Sequence, residues 1–371
     1  MNAEEIWKTS TGEGIKVAVI DTGVNPSTAS LKGQVLKGMD VAEAKGDETD
    51  DYDGHGTTMA EIIAGTGAGG GIKGLAPGAR VIPYRISDTE LQNEQRVNAF
   101  DMEEAIKAAA DSDAQIINVS FGSDYYSSEI RDAVEYTQAK GKLLFAAVGN
   151  DGKKRSKPHY PAAYPEAIAV AAADRDGQAA DYSQHGDFVD LAAPGSSIPG
   201  WCDNTFETYC EAEGTSSATA IASASAALIW SAHPDWTGNQ VLRVMLESAG
   251  RGEGWKKGTV SNFLGYGIVR PAAHIKGGVG KPGDPNVNPL TNERVGGSSG
   301  SSASPKPSAK PSAPASSQPP KPKPGSNAAV KGSSSESSDG SGQLGLVLGA
   351  IAAAVVIGGG AFAVVRKRRS A

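Results

Sequence analysis

Cysteine is nearly absent: 371 residues carry only Cys202 and Cys210, eight positions apart in WCDNTFETYCEAEG. Two such residues without neighbouring histidines cannot build a zinc site, which needs three or four protein ligands. They read as one short disulfide, stable only in an oxidising compartment. Basic residues are scarce in the front of the chain. Residues 276–371 hold 12 Lys or Arg and 4 Asp or Glu, which leaves 23 against 38 before them, a charge of −15 against +8. An acidic body repels phosphate backbones, so nucleic acid is excluded as a partner. Also missing is an apolar leader: MNAEEIWKTSTGEGIKVAVID has no stretch of signal length ahead of its first strand, so any export signal is expected to have been removed upstream of Met1.

What is present divides the chain into four parts. Residues 344–365, LGLVLGAIAAAVVIGGGAFAVV, form an uncharged run of 22 followed at once by Arg366, Lys367, Arg368 and Arg369. That length spans a bilayer as a helix, and the basic flank sets 366–371 in the cytoplasm with everything upstream outside. Gly345 and Gly349 form a small-residue pair on this segment. Before it, residues 294–343 contain 16 Ser, 8 Pro and 7 Gly in 50 positions, too few apolar groups to collapse, so 276–343 reads as a disordered, extended stalk. Residues 1–275 alternate strand-like runs (IKVAVID, ARVIPYRI, AQIINVSFG, KLLFAAVGN, AIAVAAAD) with helix-like ones (MAEIIAG, AFDMEEAIKAAADS, SEIRDAVEYTQAKG, SSATAIASASAALIWSAH). This is the pattern of crossover units around a buried parallel sheet, an α/β fold whose ligands belong at the carboxyl ends of the strands.

Chemistry-bearing residues gather at those ends. Asp21 closes the first strand in VAVIDTG; alone, an Asp there is as readily a turn former. His55 stands between two glycines in DDYDGHGTTMAEIIAG at the head of a helix, with Asp51 and Asp53 as the co-ligands a metal reading would need. His159, His185, His233 and His274 lack such a setting and read as surface, packing or capping residues. Ser216 opens a helix in EGTSSATAIASASA, where a cap or a nucleophile near free backbone N–H groups would both fit. Asn150 ends KLLFAAVGN and could turn the chain or donate to a developing anion.

DTG, HGT, GN and GTS occur in the order 21, 55, 150, 216. That order resembles the subtilisin-like serine proteases, the subtilases, over about residues 6–275. The resemblance implies a three-layer parallel-sheet fold and an endopeptidase in which Asp21 orients His55, His55 is the general base, Ser216 is the nucleophile, and Asn150 with the Ser216 N–H forms the oxyanion hole. It also implies a peptide-binding wall at Ser120, Phe121 and Gly122, opposite Ala147, Val148 and Gly149. No cofactor is required; a structural calcium in GDETDDYDG is the one ion for which the sequence leaves room. The order of body, cysteine-bearing loop, stalk and membrane helix resembles the mycosins, membrane-anchored subtilases of type VII secretion, with secretion-system membrane components as partners. Two departures stand out: Ser217, Ala218, Thr219 and Ala220 follow Ser216 without the usual proline, and HGTTMA replaces the commoner HGTHVA. They call the helix start behind Ser216 into question and give footing to a rival reading, a subtilase body that braces a secretion complex without needing to cleave.

Overall fold

The computed structural model describes residues 2–42, 45–86, 99–154, 156–252, 255 and 259–295. Seven strands form one parallel sheet: β1 (Lys16–Asp21), β2 (Met39–Asp40), β3 (Arg80–Arg85), β4 (Ile116–Val119), β5 (Leu143–Ala147), β6 (Ile168–Ala173) and β7 (Leu191–Pro194), in the order β2-β3-β1-β4-β5-β6-β7. Chain order reverses between β1 and β4, so the carboxyl ends of these neighbours border the crevice where an open α/β sheet takes its ligand.

Both faces of the sheet are covered, which is why its strands are continuous apolar runs. On β1, Val17 and Val19 enter one core and Ala18 and Ile20 the other. The first core is closed by α2 (His55–Ala64), α5 (Thr215–Ala232) and α6 (Gly238–Ser248), the second by α3 (Ala99–Asp111) and α4 (Ser128–Ala139). Short helices α1 (Ala3–Trp7) and α7 (Pro271–Ile275) complete the described set. The three-layer expectation therefore holds.

Helix α5 is buried on every side from Thr215 to Trp230, and only small side chains permit such close packing, which accounts for its run of Ala and Ser. Its polar groups bond backward to the preceding turn, as in Thr219 Oγ1 to the Thr215 carbonyl (2.7 Å) and Ser225 Oγ to that of Ile221 (2.8 Å). The missing proline has no visible consequence, since α5 runs unbroken through Ala220.

Two regions differ from the sequence reading. The cysteine-bearing stretch is not an open loop but an antiparallel hairpin of β8 (Ile198–Trp201) and β9 (Tyr209–Ala212), with Cys202 and Cys210 joined in a disulfide. Segment 276–295, assigned above to the stalk, lies against α6: Thr237 Oγ1 and Asn239 Nδ2 donate to the Pro285 carbonyl and Arg243 Nη2 to that of Val287. The run at 344–365 lies outside the described residues, among which no helix is long and apolar enough to cross a membrane.

Candidate active site

Asp21, His55, Asn150 and Ser216 meet at the carboxyl edge of the sheet. Asp21 is the last residue of β1 and fully buried; His55 is the first residue of α2, with about a third of its side chain exposed. Their contact is a 2.6 Å bond between His55 Nδ1 and Asp21 Oδ1. Gly56 makes the approach geometrically feasible, because a Cβ there would stand 2.0 Å from the Gly23 carbonyl oxygen and 3.1 Å from Asp21 Cβ.

The start of α2 is held by remote side chains. Gly54, its cap, supplies no side chain, so the orphan N–H groups of the first turn find partners elsewhere. The Thr57 N–H and hydroxyl donate to Asp51 Oδ2 (2.8 and 2.6 Å), the Gly54 N–H to Asp51 Oδ1 (2.8 Å), and the Gly56 N–H to Thr22 Oγ1 (2.9 Å). Thr22 Oγ1 in turn donates to Asp51 Oδ1 (2.8 Å). Asp51 is thus a scaffold anchor rather than a metal ligand. Among the described residues no group of three or more His, Cys, Asp or Glu side chains converges on a common point.

Ser216 occupies the first turn of α5. Its Oγ lies 3.4 Å from the Ser120 carbonyl oxygen, and it lines a cleft of about 330 Å³ together with His55, Asn150, Gly214 and Trp201. Asn150 divides its amide between two tasks. Its Oδ1 accepts the N–H and the hydroxyl of Thr215, both at 2.9 Å, and so caps α5, whose own cap residue Gly214 has no side chain. Nδ2 then borders the cleft: a Cβ on Gly214 would be 3.5 Å from it and 3.8 Å from Ser216 N, so both donors face one small space. Such a pair can stabilise an anion.

Electrostatics concentrate on His55. Burial pulls its imidazole down, but the Asp21 carboxylate outweighs this, aided by Asp53 and Asp51, and the ring is pushed up from 6.5 to about 9.

The expected walls differ from one another. Beyond β4, Ser120 is fixed by Asn118 Nδ2 (3.1 Å), and the Phe121 ring lies 6.0 Å from that of His55. Ala147, Val148 and Gly149 are committed to the fold: Val148 N–H donates to Val170, Gly149 N–H to Thr215 Oγ1, and the Gly149 carbonyl accepts from Gln184. Trp201 and Gly200 of the hairpin supply a further rim that the sequence reading missed, and the Trp201 N–H donates to Thr58 Oγ1 of α2 (3.0 Å). Thr215 was missed as well, its one local hint being its place in GTS, and Asp51, which the metal reading took as a co-ligand, instead anchors the start of α2.

Comparison with known proteins agrees with this geometry. The sequence profile of the Subtilase family matches residues 12–267. Thermitase of Thermoactinomyces vulgaris is 34% identical over 272 residues, which cover 71% of this chain and 92% of thermitase. Among solved structures, MycP1 from Mycobacterium smegmatis superposes with a TM-score of 0.62 at 27% identity, covering 74% of this chain and 82% of that one. The MycP3 protease from the type VII (ESX-3) secretion system gives 0.64 at 30% identity, covering 74% and 86%.

Proposed function

Because this chain belongs to the subtilase family and is a serine endopeptidase, we propose that Asp21, His55 and Ser216 are its catalytic triad and that it cleaves exported polypeptides at the outer face of a membrane. The observation that carries the triad is the 2.6 Å contact of His55 Nδ1 with Asp21, with Ser216 in the same cleft. Asp21 fixes the tautomer in which His55 Nδ1 bears a proton and Nε2 is free to accept one. As Ser216 Oγ attacks the scissile carbonyl, Nε2 takes the hydroxyl proton, and the oxyanion is held by Asn150 Nδ2 and the Ser216 N–H. The imidazolium returns its proton to the leaving amine, and the acyl group stays on Ser216. Water, deprotonated by the same nitrogen, then attacks the ester, and the imidazolium returns that proton to Ser216 Oγ as the acid is released.

Anchoring rests on the sequence. The apolar run 344–365 with its basic flank makes the chain a single-pass membrane protein with its C-terminus in the cytoplasm. An extracytoplasmic body agrees with the Cys202–Cys210 disulfide. Likeness to MycP3 supports a place among the membrane components of a type VII secretion system. In a second reading, favoured by the small-residue pair Gly345 and Gly349 in the apolar run, the body also braces such a complex.

Ser216→Ala tests both readings. Cleavage of a peptide library and labelling by a fluorophosphonate should disappear; persistent labelling removes Ser216 as the nucleophile. Secretion restored by the same variant in a deletion strain, but not by a chain lacking residues 344–371, assigns the essential role to bracing.

A further inference from the structure

His159 belongs to neither the triad nor the oxyanion pair, yet its ring lies between the two walls of the cleft. A Cβ built on Gly122 would stand 2.6 Å from His159 Nδ1 and 2.7 Å from Cε1, and one on Gly149 would stand 3.2 Å from its Cγ. Strands β4 and β5 are paired neighbours, so the extensions that follow them, 120–122 and 148–149, border a single gap. The imidazole lies against it, beside the Gln184 amide, whose Nε2 would stand 2.2 Å from a Cβ on Gly149. Its backbone is fixed on both sides: Ser123 and Tyr160 exchange N–H to carbonyl bonds of 2.9 and 2.8 Å, and the His159 carbonyl accepts from the Ala163 N–H at 2.9 Å. The ring bonds the Ala147 carbonyl, while Nδ1 is buried and has no partner. Burial lowers its pKa despite that bond and the charges of Asp124 and Asp151, so the ring is neutral at neutral pH.

The acyl group's position follows from the site already described. With its carbonyl carbon on Ser216 Oγ and its oxygen toward Asn150, the side chain of the acyl residue must descend between the Ser120 and Gly149 sides, onto the imidazole. We propose that His159 restricts the residue whose carbonyl is attacked to small side chains such as Gly, Ala and Ser, by occupying the space a larger one would need. The inference rests on the triad reading above and concerns selectivity alone. Discrimination by a filled pocket is steric, and removing the filling group admits the larger substrate.

The test uses the full-length protein and fluorogenic peptides identical except for Ala, Ser, Phe or Arg immediately before the scissile bond. Wild type should cleave the Ala and Ser peptides with kcat/KM at least tenfold above the Phe and Arg peptides. In His159→Gly the ratio of Phe to Ala cleavage should rise at least tenfold, and His159→Ala should shift it in the same direction if the glycine variant fails to fold. A wild-type preference for Phe or Arg overturns the proposal without any variant. So does a ratio unchanged within threefold in a variant that still labels with a fluorophosphonate. Loss of labelling in wild type would instead count against the triad.

Discussion

Asn150 caps a helix with one amide atom and offers the other to the cleft, so the two roles can be separated chemically. Asn150→Asp keeps an oxygen for Thr215 and loses the N–H donor: kcat should fall about 10²- to 10³-fold, with KM and the thermal midpoint little changed. Asn150→Ala should match that loss and also lower stability by about 1 kcal/mol for the missing cap. Steady-state kinetics beside thermal melts distinguishes them. His55 gives a pH prediction. Its ring must be neutral to accept a proton and is raised toward about 9 beside Asp21, so kcat/KM should climb with pH along an acid limb lying above 6.5, and Asp21→Asn should move that limb down while cutting kcat. The sign for stability is opposite: a histidine raised on folding contributes fully below 6.5 and loses its contribution as pH rises through about 9. Asp21, His55, Asn150 and Ser216 were legible because each sits in a short local signature. Thr215 as the partner of Asn150 was not, since the two are 65 positions apart, and His159 was dismissed because its setting is made by Gly122 and Gly149 rather than by its sequence neighbours.

The starts of α2 and α5 share one device: neither cap residue has a side chain, and a polar group from outside the helix completes the first turn. Asp51→Ala removes the acceptor for the Thr57 N–H and hydroxyl and the Gly54 N–H. Those groups are buried, and stranding them should cost about 2–4 kcal/mol. Denaturant melts would measure it, and activity should fall along with stability because His55 begins the same helix. Core strands β1, β3, β4, β5 and β6 were readable as apolar runs with turn residues after them. The β8–β9 hairpin was not, because DNTFET between its strands holds a single apolar residue, Phe206, and its strands are tied to α2 by long-range contacts: Trp201 N–H to Thr58 and the Tyr209 hydroxyl to buried Glu61 (2.7 Å). Helix α6 also went unread, although Thr237 and Gln240 form a capping box visible as T-x-x-Q.

At the scale of the whole chain, composition separated an acidic body from a Ser- and Pro-rich tail but misplaced the border between them by about 20 residues. Glycine and proline in 276–295 look like linker, whereas the segment's bonds to α6 and its cap are made by backbone groups, carbonyls of Pro285 and Val287 and the N–H of Lys281, which composition cannot report. A chain ending at residue 295 should melt like the full-length protein and keep its peptidase activity, while one ending at 275 should melt several degrees lower, as differential scanning calorimetry would record. Helix α5 carries a last consequence. The Ser216 hydroxyl rides on a rod enclosed by β4 through β7, α2 and α6, so no fragment that stops short of α6 can present it in working order. A partly synthesised body is therefore inert, and hydrolytic power arrives only once the sheet and its covering helices have closed around that rod.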